Sequence, residues 1–187
     1  LANKQSTFVG FLNKDNKMNA KQLLLSLAFV AVTLTAKAQD DPAKRPSPPA
    51  QASAKVNGKT ITINYGQPSV NGREIWGKLV PYGQVWRTGA NETTSIDVSD
   101  DVKLEGKPLA KGKYALFTIP NEKTWTIIIN KTIKWGVFSY KQDEDVLRVN
   151  VPAKKAKDFT EKMTFTISPK GLVSLAWANE KVDFKVQ

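Results

Sequence analysis

From Ala52 onward, apolar side chains recur at every second position of the chain. Ile61, Ile63 and Tyr65 alternate with Thr60, Thr62 and Asn64, and Trp125, Ile127 and Ile129 with Thr124, Thr126 and Ile128. The same period runs through Leu147, Val149 and Val151, then Met163, Phe165 and Ile167, then Val173, Leu175 and Trp177, then Val182, Phe184 and Val186. A repeat of two places alternate side chains on opposite faces of a strand, and one apolar face per strand is the mark of an antiparallel sheet covered on one side. Residues 113–119, KYALFTI, are apolar on both faces and predict a central strand covered twice. Asn57-Gly58 is the residue pair of a two-residue type I′ hairpin. Pro120–Lys123, Ser168–Gly171 and Ala178–Lys181 also separate strands at hairpin spacing. Lys154 to Lys162 predicts one short helical turn. The fold class expected is all-β: an antiparallel β-sandwich, Ig-like or jelly-roll-like, of roughly eight to ten strands. A lipocalin-like barrel is the alternative, because alternation is the same in a closed sheet.

The alternation stops across residues 66–92, GQPSVNGREIWGKLVPYGQVWRTGANE. A connection longer than about 12–15 residues is usually functional or disordered. Ile75, Trp76, Leu79, Val80, Tyr82, Val85 and Trp86 are too apolar to stay solvated, so an ordered, folded-back loop is expected. Arg73 and Arg87 are forked donors suited to carboxylate, phosphate or sulfate, Asn91 and Glu92 add an amide and a carboxylate, and Trp76, Tyr82 and Trp86 offer flat apolar faces. Apolar walls with a few placed polar groups make a ligand pocket, and aromatic faces beside polar groups suit a sugar ring. The same residues also allow a plainer role, with the aromatics plugging the end of the sandwich and the arginines holding loop carbonyls, Glu74 or Glu92.

The segments Asn71–Gly77, Leu79–Gly83 and Val85–Thr94 carry a resemblance, continued by Gly112–Pro120, Trp125–Asn130 and Asp145–Val149. Over about residues 45–187 the chain resembles an uncharacterised family of exported proteins common in Bacteroidetes, catalogued as the domain of unknown function DUF2911. The resemblance implies export and the extent of the domain, and it implies no activity.

The N-terminal part has a different pattern. Met18–Gln22 carries one lysine, Leu23–Leu34 is a twelve-residue apolar run, LLLSLAFVAVTL, and Ala36-Lys37-Ala38 places small residues at a cleavage site. These are the three parts of a secretory signal peptide over 18–38, and the run falls short of the ~20 residues of a membrane span. Residues 1–17 are expected to be an upstream extension before an initiator at Met18, residues 39–51 a proline-rich linker, and residues 52–187 the β-sandwich domain. The expected location is the periplasm or the cell exterior, with no membrane span after cleavage.

Composition narrows the chemistry. The 187 residues contain neither cysteine nor histidine, which excludes disulfides, thiol or Ser-His-Asp catalysis and Cys/His metal sites within this chain. The net charge is +11, yet the lysines are dispersed, and no nucleic-acid partner is expected. The acidic turns Asp143-Glu144-Asp145 and Asp97 with Asp100-Asp101 lack EF-hand spacing, so no metal and no cofactor are assigned. Trp135-Gly136 and Tyr140 are expected to be core or loop anchors. The reading is a non-catalytic binding or interaction module of the cell envelope, holding carbohydrate or an anionic small ligand through Arg73, Trp76, Tyr82, Trp86, Arg87, Asn91 and Glu92. The alternative is a carboxylate-based hydrolase of envelope glycans using Glu74 and Glu92.

Overall fold

In a computed structural model, residues 41–187 are described. The extension and signal peptide expected over 1–38, and the start of the linker, lie outside them. Among the described residues nine strands follow one another, and this part of the chain is all-β: β1 (Pro49–Val56), β2 (Lys59–Gly66), β3 (Ser95–Val98), β4 (Val102–Leu104), β5 (Lys107–Leu109), β6 (Gly112–Ile119), β7 (Thr124–Asn130), β8 (Asp145–Ile167) and β9 (Leu172–Lys185). Seven of them form one antiparallel sheet in the order β1-β2-β3-β6-β7-β8-β9, and β4-β5 form a separate hairpin. Tyr65 on β2 and Phe165 on β8 stand far apart in that order, yet their rings meet at 5.0 Å and the Tyr65 hydroxyl accepts the Phe165 N–H. The sheet therefore curls until its inner face packs on itself, as a sandwich or half-barrel does.

The alternation read from the sequence is what fills this interior. Ile61, Ile63, Leu116, Trp125, Ile127, Ile129, Leu147, Val149, Val173, Leu175 and Phe184 belong to one buried cluster. β6 stands in the middle of the sheet order and is covered on both faces, as predicted for residues 113–119: Leu116 joins the main core, while Ala115 and Phe117 join Ile128 in a second cluster on the other side. Val85 and Tyr140, each from a long connection, lie over that second cluster. At Asn57 and Gly58, φ is 50° and 84°, the pair of positive values a type I′ turn demands.

Three local expectations are corrected. Ala178–Lys181 is not a hairpin turn, because β9 runs through it. The inward set changes from odd numbers (Val173, Leu175, Trp177) to even ones (Val182, Phe184), and the chain absorbs the change at Ala178, whose φ is 53°. Lys154–Lys162 is strand, not helix: it is the middle of β8, where the register with β9 shifts twice. Its other edge is taken by the long connection, with the Val70 N–H on Glu161 O and the Met163 N–H on Pro68 O, so ladder pairing overrides local preference. The proline-rich segment is not wholly a tether, since β1 starts at Pro49 rather than Ala52. An edge strand tolerates proline because its outward N–H is not needed, and the Pro48 carbonyl remains to accept the Gln67 N–H at 2.8 Å. No helix among the described residues is long and apolar enough to cross a membrane.

Candidate functional site

The connection between β2 and β3, residues 67–94, folds back as an ordered flap over the mouth of the core. Its exit is pinned where the Ala90 N–H bonds Gly66 O, a crossing so close that a Cβ at Gly66 would fall on the Ala90 carbonyl. Trp86 exchanges both backbone hydrogen bonds with Thr118 of β6, at 2.7 and 2.9 Å. Next to it, Thr88 is fully buried with φ 57°, a conformation that strains a β-branched residue. Hydroxyls hold it there: Thr88 Oγ1 donates to Thr118 Oγ1 at 3.1 Å, and Thr94 Oγ1 donates to Thr88 O at 2.8 Å.

Trp76 and Trp86 point inward and meet Trp125 of β7 and Trp177 of β9. Trp76 packs edge-on against Trp125 at 4.8 Å, and Trp86 stacks on Trp177 at 6.0 Å with an interplanar angle of 15°. Trp76 is thus a core plug, buried to 9% exposure, in line with the structural reading of the loop. Three buried donors around this cluster have no hydrogen-bond partner among the described residues, the indole nitrogens of Trp76 and Trp177 and Arg87 Nε, while the Trp125 indole faces the Glu180 carboxyl.

Three of the seven sequence-predicted residues, Arg73, Trp86 and Arg87, line one cavity of about 210 Å³, together with Leu79, Val80 and Trp177. Arg73 is committed to the loop: its Nε donates to Val70 O at 3.0 Å and its Nη2 to Ser69 O at 2.6 Å. Arg87 is different. It is half-buried beside Trp86, burial lowers its pKa, and its side chain makes no hydrogen bond or ion pair among the described residues.

The other predicted residues go elsewhere. Tyr82 donates to Glu180 Oε1 at 3.3 Å and fastens the flap to β9; burial, then the Glu180 charge, raises its pKa. Asn91, at φ 60°, donates to Ser47 O at 2.8 Å. Glu92 pairs with Arg45 at 2.7 Å, and that hydrogen bond holds its carboxyl below the ordinary range. Glu92 lines a separate cavity of about 520 Å³ beside β1 and β2, whose lining does not include Glu74. A general acid needs a raised pKa, and here the carboxyl raised by burial is Glu180, with Tyr82 and the Trp125 indole beside it. The sequence reading missed Glu180 and Trp177. Trp177 stood in plain view as a strand residue, but nothing in the alternation said that the flap would cover it.

The arrangement offers an unpaired guanidinium beside the stacked rings of Trp86 and Trp177, in a space that would hold roughly seven waters at about 30 Å³ each. Comparison with curated proteins and with solved structures finds no match. One family model matches, across residues 47–186, and it covers both the curled sheet and the flap. By that match the chain belongs to the family described as "Protein of unknown function (DUF2911)".

Proposed function

We propose that this chain is an exported, non-catalytic binding module that holds a small anionic ligand, such as an acidic monosaccharide, between Arg87 and the Trp86–Trp177 stack. The observation that supports the reading is Arg87 itself: a half-buried guanidinium whose Nε is out of water and has no acceptor among the described residues. Burying a charged donor without a partner is unfavourable, and a bound carboxylate, phosphate or sulfate would supply the missing acceptor. The cavity size selects the ligand: about 210 Å³ takes a single ring or a small anion and excludes an oligosaccharide from the interior. Export rests on the leader at Met18–Ala38, and the mass of the protein recovered outside the cytoplasm tests it.

Binding is tested by tryptophan fluorescence and thermal shift with glucuronate, sulfate and glucose as probes. Glucuronate or sulfate should raise the Tm and perturb the emission, and glucose should do neither. Arg87→Met should abolish the response while folding at least as stably as the parent, because it removes an unpaired, partly desolvated charge. If the anions act no better than glucose, or act equally on Arg87→Met, the reading fails.

A further inference from the structure

The geometry points to the connection between β7 and β8, residues 131–144, as a membrane-docking loop that seats on a bilayer surface bearing anionic headgroups. Within six residues it exposes Ile133 at 41%, Trp135 at 63% and Phe138 at 99%. Single exposed apolar side chains are ordinary, but three within six residues, two of them aromatic, set this loop apart. Trp135 is thus not the core or loop anchor expected from the sequence; in that pair the anchor is Tyr140, whose ring packs on Phe117 at 5.1 Å.

The loop is ordered by contacts that do not involve these side chains. The Thr93 hydroxyl meets Lys134 O at 2.5 Å and Gly136 O at 3.1 Å, and Asn130 Nδ2 donates to Lys141 O at 2.9 Å. A fixed backbone therefore holds Phe138 in water, where it contributes almost nothing to the fold's own burial. Lys131, Lys134 and Lys141 of the same loop are exposed, and residues 131–141 contain no acid. Two acids follow: Asp143, exposed, and Glu144, which turns back to the loop's base, bonding Thr132 and approaching Lys141 at 4.0 Å, so three lysines face two acids in the connection.

Indole at the headgroup level, an apolar ring at the acyl boundary and ammonium groups toward phosphates is the chemistry of interfacial docking. A second copy of this chain fits less well, because a two-fold contact through this loop would bring its lysines together.

The test uses the full chain and reads Trp135. The other four tryptophans lie in the core cluster, and residues 1–40 contain none, so acrylamide quenching reports the loop and is blind to the leader. Phosphatidylglycerol vesicles should shift the emission to the blue and protect Trp135 from acrylamide, whereas phosphatidylcholine vesicles should not. Phe138→Ser, which keeps the reporter, should weaken the response. The triple variant Lys131→Gln, Lys134→Gln, Lys141→Gln should weaken binding by about a hundredfold, since each surface lysine adds to the attraction of an anionic membrane. The proposal is overturned if Trp135 stays equally quenchable with phosphatidylglycerol, if phosphatidylcholine protects it as well, if the variants bind like the parent, or if protection grows with protein concentration without vesicles, which would mark self-association.

Discussion

The two long connections, 67–94 and 131–144, start alike and end opposite. Each leaves a core strand, each carries tryptophan, and each lends one side chain to the outer face of β6, Val85 from the first and Tyr140 from the second. The first turns Trp76 and Trp86 inward onto Trp125 and Trp177, whereas the second turns Trp135 and Phe138 outward. The difference lies in what holds the backbone. In the first, aromatic packing and hydroxyl bonds act together, so the indoles are structural and the half-buried Arg87 is the group left over. In the second, buried polar anchors and the Tyr140 ring on Phe117 fix the chain, which leaves Trp135 and Phe138 for another surface. An aromatic residue in a loop is thus evidence of a site only after its share in holding the loop has been set aside.

The sharpest way to break this contrast is to truncate one tryptophan from each connection's surroundings. Trp177→Ala removes a side chain exposed by only 2% that both flap indoles touch, and should cost about 3–5 kcal/mol in chemical denaturation. Trp135→Ala should fall within about 0.5 kcal/mol of the parent. Comparable losses would mean that the outward indole is structural after all.

A smaller effect is expected at the anchor of the second connection. Asn130 is fully buried, donates to Lys141 O and to Asp145 Oδ1 at 2.8 Å, and accepts the Thr132 N–H at 2.9 Å. Asn130→Ala strands these partners and should cost about 1–3 kcal/mol. Hydrogen exchange should quicken across 131–144 and stay unchanged across 67–94. Equal quickening in both would show that the two connections are not separately held.

How far the sequence could be read follows the same division. Strand positions were legible because burial imposes a period of two: Ile61, Ile63, Trp125 and Ile127 face the core as their spacing requires. The Asn57-Gly58 turn was legible because few residue pairs accept two positive φ values. The course of β9 was not, since a parity change reads equally well as a turn or as a bulge, and only pairing with β8 decides. In the site, Arg73, Trp86 and Arg87 share a cavity, but residue type could not foretell that Glu92 would be taken by Arg45, or that Tyr82 would reach across 98 positions to Glu180. Those pairings depend on how the sheet curls, which is a long-range property.

The smallest effect concerns that Tyr82–Glu180 fastening, and it appears as a pH dependence. Burial raises the pKa of Glu180, so the folded protein takes up its proton more readily than the unfolded chain. The stability linked to this group is complete below the unfolded carboxylate pKa and is lost as pH rises through the folded value. Glu92 has the opposite sign: the Arg45 bond lowers its pKa, and its contribution is present above the unfolded value and lost as pH falls through the folded one. Glu180→Gln keeps an oxygen to accept the Tyr82 hydroxyl while removing the titration. The stability of this variant relative to the parent should therefore grow with rising pH from the ordinary carboxylate range upward, whereas Glu92→Gln should fall progressively behind the parent over the range in which Glu92 ionises. A Glu180→Gln stability difference from the parent that stays constant at every pH would mean that folding does not shift the Glu180 carboxyl, and that its burial under the flap is not what the fold imposes.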